Sequence, residues 1–338
     1  MRIQTSVILA GTLLLGPAAA DDAADCIGPD PTTGIAACGR LIVAAASAAA
    51  VVDAYVGRAK HRTLQNELEE ALADLEEALR RDPQHADAHH NRGVVYSFQG
   101  RYDEALAALD EAIRLSPATS AESRHTRGRI RLANGDLDAA LAEFDSALTV
   151  DARHVDTLIS RGGAYQLGGD VGRAMADYDA ALRIDPNNPD AYSSRGVLYL
   201  ATNRLDQAVA DLDRALAVDT SYGSAYLNRG LARFFQRRFA EAMPDFDRAI
   251  ELEPENPEYY FQRASAYAVQ GEAERALADL DVVVRLSPES PRPHAVRGGL
   301  LEALGRREQA IAALRQALTL DPSDAESAEA LRRLGAGP

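Results

Sequence analysis

Tryptophan is absent from these 338 residues, aromatic side chains make up only 6%, and lysine occurs once, at Lys60. A core built from this chain must therefore be filled by small and aliphatic residues, which supply most of its 46% hydrophobic content. The formal charge is -15. Nucleic-acid binding is excluded on that ground, because phosphate contacts need clustered Lys and Arg; a basic or neutral partner fits better. Cys26 and Cys38 have eleven residues between them, so there is no CxxC redox motif. The chain also has no Gly-rich phosphate loop and no GxSxG element. Neither catalysis nor a cofactor is expected. Both strongly apolar stretches, Val7–Leu15 and the Ala/Val-rich run from Leu41 to Val56 broken by Ser47 and Asp53, fall short of the ~20 residues of a membrane span. Stable membrane insertion is not expected.

What the chain does have is a period. An Arg followed by a small residue recurs at Arg92-Gly93, Arg127-Gly128, Arg161-Gly162, Arg195-Gly196, Arg229-Gly230, Arg263-Ala264 and Arg297-Gly298, in steps of 35 and then five times 34. A fixed period of this length marks one supersecondary unit stacked repeatedly. With Val155 as place 1, the marker pair occupies places 7 and 8. Each unit contains two apolar-periodic runs around a polar break, which predicts a helix, a tight turn and a second helix. In the unit from Val155 to Asn188 the turn falls at Gly168-Gly169-Asp170, and Asp185-Pro186 ends the second helix. Small residues recur at place 8 and at place 20, the latter Ala from Ala105 to Ala310, with bulky partners at place 24 such as Leu109, Phe144 and Leu212. Small against large at fixed places predicts close helix packing.

With Gly162, Tyr165, Ala174, Tyr178, Ala181 and Pro186 in these places, the unit resembles a tetratricopeptide repeat (TPR), and the likeness extends over eight units. The resemblance implies an all-α fold, a right-handed superhelical solenoid of helix-turn-helix repeats, and a non-catalytic protein-interaction role. The family's Trp at place 4 is replaced throughout, and Ala152 and Thr220 stand where its closing Pro belongs. The expected organisation is a signal peptide at 1–20, an N-terminal half-repeat with a disulfide at 21–51, eight TPR units at 52–324, and a capping helix and tail at 325–338.

Arg2, the apolar run, Gly16-Pro17 and Ala18-Ala19-Ala20 resemble a secretory signal peptide cleaved before Asp21. A periplasmic or secreted bacterial protein is expected. The two cysteines suit an oxidising compartment and suggest one bond, which would contribute roughly 3 kcal/mol through loop closure. This part resembles the disulfide-closed first half-repeat of some exported bacterial TPR proteins, with Cys38 on a helix and Cys26 in the loop before it. At the other end, Ser323 and Glu326 have capping-box spacing ahead of a final helix from Ala325 to Leu334.

The TPR resemblance places the partner groove on the first helix of each unit, at places 2, 5, 6, 9, 12 and 13. Place 6 carries Asn91, Thr126, Ser160, Ser194, Asn228 and Gln262, side chains able to bond an extended peptide backbone. Leu227, Leu231, Phe234, Phe235 and Phe261 form an apolar group that would either hold one anchor side chain or fill the core. The acids at place 2, Asp87, Glu122, Asp156, Asp190 and Glu258, would attract a basic segment or serve helix dipoles. No Lys or Arg stands at places 5 and 6, which argues against the family's carboxylate clamp. Each marker Arg but the last has an Asp eighteen places on, from Asp110 to Asp281, while Arg297 meets Arg315 there; the pattern predicts ion pairs within or between repeats along the helix seam. His85, His89, His90 and His125 cluster without the cysteines or carboxylates of a usual metal set, so no metal site is expected there. The expected function is a scaffold or adaptor of the bacterial envelope that binds an unidentified protein or peptide; self-association, or metal handling by the His cluster, is the alternative. Mass spectrometry of the non-reduced, exported protein should show a Cys26–Cys38 bond, and two alkylatable thiols would remove it.

Overall fold

The computed structural model describes residues 17–44 and 47–337, so the apolar run of the expected signal peptide lies outside it. The chain divides into two compact units, residues 1–170 and 171–338. In the first, the helices are α1 (Pro17–Cys26), α2 (Pro31–Ala44), α3 (Ala48–Leu64), α4 (Leu68–Arg81), α5 (Ala86–Phe98), α6 (Tyr102–Leu115), α7 (Ala121–Ala133), α8 (Leu137–Val150) and α9 (Val155–Leu167). The second holds α10 (Val171–Ile184), α11 (Pro189–Ala201), α12 (Leu205–Val218), α13 (Gly223–Phe235), α14 (Phe239–Leu252), α15 (Pro257–Val269), α16 (Ala273–Leu286), α17 (Pro291–Ala303), α18 (Arg307–Leu320) and α19 (Ala325–Arg333). The fold is all-α, with helix-turn-helix repeats stacked in each unit. No strand occurs among the described residues, and none of their helices is long and apolar enough to cross a membrane.

Within each unit, consecutive helices pack as hairpins because one member presents a notch where the other presents a bulk. A Cβ added at Gly93 would sit 2.7 Å from Leu109 Cγ, and one at Gly196 would sit 2.9 Å from Leu212 Cγ. Gly128 meets Phe144, Gly230 meets Phe246 and Gly298 meets Leu314 in the same way. The place-20 alanines are fully buried, from Ala71 to Ala310. So the expected small-against-large seam is present in both units.

The turns between paired helices share one device. The residue at place 15 has positive φ in every repeat: Gly100, Gly135, Gly169, Gly271 and Gly305, but also Asn66, Asn203 and Arg237. The next amide closes the helix end, as where Arg204 N donates to Tyr199 O (2.8 Å) and Arg238 N to Arg233 O (2.9 Å). Arg237 at φ 62° pays the Cβ penalty of roughly 1 kcal/mol that glycine avoids. Repeats without the closing proline end at the same place. Asp151 and Asp219 accept the amides of Arg153 (2.9 Å) and Ser221 (2.8 Å), turning the chain without a ring.

Several local expectations change. Cys26 is the last residue of α1, not part of a loop, and two helices precede the first full repeat. The Cys26–Cys38 disulfide is formed, with Cα atoms 4.8 Å apart, and both sulfurs pack on Gly57 of α3, 3.1 and 3.2 Å from where its Cβ would lie. His61 of α3, buried, reaches back with Nε2 2.9 Å from Cys26 O. The final helix is capped by Asp324, whose carboxylate accepts from Ser327 N at 3.1 Å; Ser323 is occupied with Asp321 instead. Asn188 and Asn256 cap α11 and α15 through their side chains, whereas Ser290 makes no side-chain cap bond to α17. Pro244 lies just past the first turn of α14, which starts at Phe239, and is tolerated because both it and Ala240, four residues before it, are exposed. The extra residue near Ala118 is taken up by a 3-10 turn, Pro117–Thr119.

The notch at place 8 carries a checkable cost. Gly196→Val should destabilise by about 2–3 kcal/mol through overpacking against Leu212, read as a lower urea midpoint at unchanged slope. An unshifted midpoint would mean that the hairpin seam is looser than these distances describe.

Candidate functional site

The first helices of successive repeats lie side by side, α3, α5, α7 and α9 in one unit and α11, α13 and α15 in the other. Their arrangement is fixed from behind by a guanidinium at place 7. In α11, Arg195 donates from Nε and Nη2 to both carboxylate oxygens of Asp211 on α12 (2.7 and 2.9 Å) and from Nη1 to Asp179 on α10 (2.6 Å). One side chain thus joins three helices of two repeats. Arg229 does the same with Asp245 and Asp213, Arg263 with Asp279 and Asp247, and Arg127 with Glu143 and Asp110.

The ion pairs expected along the seam are present, and the Asp eighteen places after each Arg pairs between repeats, not within its own. That Asp serves the following repeat, as Asp110 does Arg127 and Asp145 does Arg161 (2.6 Å). The Arg's own-repeat partner is the acid at place 23, sixteen residues on. Asp211, Asp245 and Asp279 are nearly buried there, so their charge needs the guanidinium. Tyrosines flank these cations: Arg195 lies 5.8 Å from the rings of both Tyr192 and Tyr199. The hydrogen bonds that Arg195 and Arg263 donate to Asp211 and Asp279 hold both guanidinium groups above even their usual range.

On the side expected to meet a partner, the place-6 residues are all half-buried, and most are already engaged. Asn91 and Asn228 donate to their own helix, to Asp87 O (2.6 Å) and Ser224 O (2.8 Å). Gln262 donates to Glu258, and Ser160 Oγ lies 2.9 Å from His125 Nε2. Thr126 and Ser194 stand in line with them. Of the apolar group, Leu227 and Phe261 are core residues, 8% and 6% exposed, so neither is an anchor for a partner. Leu231 and Phe234 are half-buried against the Leu227–Phe246 cluster. Phe235, beside Phe234 at 5.7 Å between ring centres, is 58% exposed.

Place 13, one of the groove places that the TPR resemblance names and the place of Phe235, is the last residue of each first helix. It is apolar in all eight repeats and exposed in all eight: Leu64, Phe98, Ala133 and Leu167 in the first unit, Ala201, Phe235, Val269 and Ala303 in the second. Five of these are large side chains, from 58% to 74% exposed. Hydrophobic periodicity could not mark them, because a helix end belongs to no buried stripe; only the tally of one place across repeats does.

The place-2 acids gain a role beyond the helix dipole. Asp53 is bonded by His85 Nε2 (3.1 Å), Glu122 by His154 Nε2 (2.8 Å) and Asp190 by Tyr222 Oη–H (2.9 Å), in each case by the residue that opens the next repeat's first helix. The hydrogen bond to Asp53 raises the His85 pKa, while burial lowers that of His90. His85 and His89 do not converge on a metal: His85 Nδ1 caps Ala88 N (3.2 Å), and His89 Nε2 donates to Pro83 O (2.9 Å). A different trio, Glu122, His125 and His154, brings its ligand atoms within 4.8 Å of one another. An open cleft of about 520 Å³ lined by Asp247, Arg263, Tyr267 and Asp279 contains charges already paired in the ladder.

Family models described as tetratricopeptide repeat match residues 58–119, 125–189 and 227–291, with further repeat models over 166–228 and 292–324. The chain belongs to the tetratricopeptide repeat family. TPR proteins act as protein-interaction scaffolds, and the TPR fold is in general non-catalytic. Among solved structures, a TPR protein from Parabacteroides merdae is 24% identical, with 74% of this chain and 98% of that chain covered at TM-score 0.57. The Cut9–Hcn1 hetero-tetramer of APC/C gives 17% identity and TM-score 0.65 over 83% of this chain and 55% of that one, so this chain spans about half of that relative. PilW, a type IV pilus biogenesis factor, gives 21% identity and TM-score 0.59 over 63% and 99%. These likenesses concern the fold. No curated protein matches the sequence.

The guanidinium bridge is open to test. Arg195→Ala strands the nearly buried Asp211 and should cost about 2–3 kcal/mol. Arg229→Ala should cost less, because Arg233 Nη1 also holds Asp245 at 2.7 Å. Equal melting temperatures for both variants and the parent would reduce the ladder to surface decoration.

Proposed function

We propose that this protein is a non-catalytic adaptor or scaffold of the bacterial envelope, exported after cleavage near Ala20, that holds an extended peptide or protein segment along its first helices. The observation that carries this reading is the exposed apolar residue at place 13 of every repeat. Water-facing Leu, Phe and Val at a fixed interval gain by being covered, and a chain laid across the first helices meets one of them per repeat. The half-buried amides and hydroxyls at place 6 supply backbone bonding beside these anchors. Several place-2 acids are already used between repeats, so attraction of a basic segment falls to the net charge of -15 more than to those side chains.

A second reading, self-association, is favoured by the same exposed Phe235 and Val269, which another copy could cover. Phe98→Asp and Phe235→Asp should leave the melting temperature unchanged, because both side chains already face water. Each should cut photocrosslinking of a partner in envelope extract by about tenfold or more. Undiminished crosslinking in both variants would overturn the groove reading. A concentration-dependent dimer in sedimentation that both variants abolish would replace it with self-association.

A further inference from the structure

We infer that Glu122, His125 and His154 form a binding site for one divalent transition-metal ion, with zinc the best match. Glu122 sits in the first turn of α7, and His125 follows one turn later; His154 opens α9 one repeat on. Their ligand atoms lie within 4.8 Å of one another. In a tetrahedral zinc site, bonds of about 2.0–2.1 Å place neighbouring ligand atoms about 3.3 Å apart. Here Glu122 Oε2 and His154 Nε2 are 2.8 Å apart, and Glu122 Oε1 and His125 Nδ1 are 3.9 Å apart. Small rotations of the half-exposed Glu122 side chain are enough to enclose an ion.

An independent observation points to a ligand. His125 is only 5% exposed, yet its Nδ1 is a buried nitrogen with no hydrogen-bond partner. At 3.9 Å the carboxylate is too far to supply one. Its Nε2 faces Ser160 Oγ at 2.9 Å. With Nε2–H donated to that hydroxyl, the Nδ1 lone pair is turned toward Glu122, and two acceptors confront each other across a gap. A cation between them satisfies both, and Ser160 is then the outer partner that fixes a ligating imidazole.

His154 has the matching arrangement. Its Nε2 points at Glu122, and its Nδ1 lies 2.8 Å from Thr157 Oγ1, which can accept Nδ1–H once Nε2 ligates metal. The cost is the cap bond now accepted from Thr157 N at 3.2 Å. Two imidazoles and one carboxylate suit zinc, cobalt or nickel, whereas magnesium and calcium prefer sets made of oxygen. Three protein ligands leave a fourth position for water, and the Glu122 side chain, 55% exposed, gives a path from solvent.

The test uses the full chain, stripped with chelator and dialysed against zinc, with cobalt as a spectroscopic probe. One zinc per chain should bind saturably, and cobalt should give the visible absorption of a low-coordinate site. His125→Ala and His154→Asn, the second of which keeps a capping side chain, should each weaken binding roughly 100-fold, and Ser160→Ala roughly 10-fold. His89→Ala should bind as the parent does. Circular dichroism of each variant checks folding. Absence of saturable zinc binding in the parent, or unchanged affinity in folded His154→Asn, would overturn the site.

Discussion

Neither helix of a repeat can hide its apolar side alone, and everything in this molecule follows from how the pair solves that. A notch at place 8 admits a bulky side chain from place 24, while the buried alanine at place 20 lets the backbones close on each other. Because the same notch recurs, the hairpins present equivalent flanks and can stack with a continuous core in each unit. The ends then need covering. At one, α1 and α2 cover α3, with the disulfide wedged on Gly57; at the other, α19 closes over α18, with Leu331 fully buried.

Packing leaves the polar groups to settle register. The place-7 guanidinium lies behind the seam with carboxylates from two neighbouring second helices, and the helix-opening residue bonds the preceding repeat's place-2 acid. Both interactions run between repeats, so a charge arrangement that first looks like a property of one unit is what aligns it with the next. The ends of the first helices carry the exposed place-13 residues, which take no part in this ladder.

The repeat was legible because its signal is redundant: a marker missing in one unit, such as Gly at Ala264 or Pro at Thr220, is supplied by the others. Partner choice was harder to read. With period 34, an Asp lying 18 residues after one Arg lies 16 before the next, and spacing alone does not say which it serves. The turn residues Asn66, Asn203 and Arg237 gave no glycine signal, yet hold the left-handed position by force of the flanking helices. Leu227 and Phe261 read as well for a pocket as for a core, since both demand apolar side chains, and only burial separates them. Glu122 and His154 stand 32 residues apart, so their meeting emerges only once repeats are laid side by side; the cue in the sequence was an acid at place 2 ahead of a histidine at a helix opening.

The ladder has a missing rung. Place 23 is Ala108 in the second repeat and Ala313 in the eighth; Arg297 of the eighth keeps Asp281 (2.8 Å), whereas Arg92 turns to His89 (3.2 Å) with its buried Nε unbonded. A stack of like elements held by nearest-neighbour couplings behaves as a chain of links, and fluctuations gather at the weakest one. Amide protons of α5 therefore exchange sooner than those of α7, where Arg127 keeps both its carboxylates, making the flank near the disulfide-bound end the more pliant part of its unit.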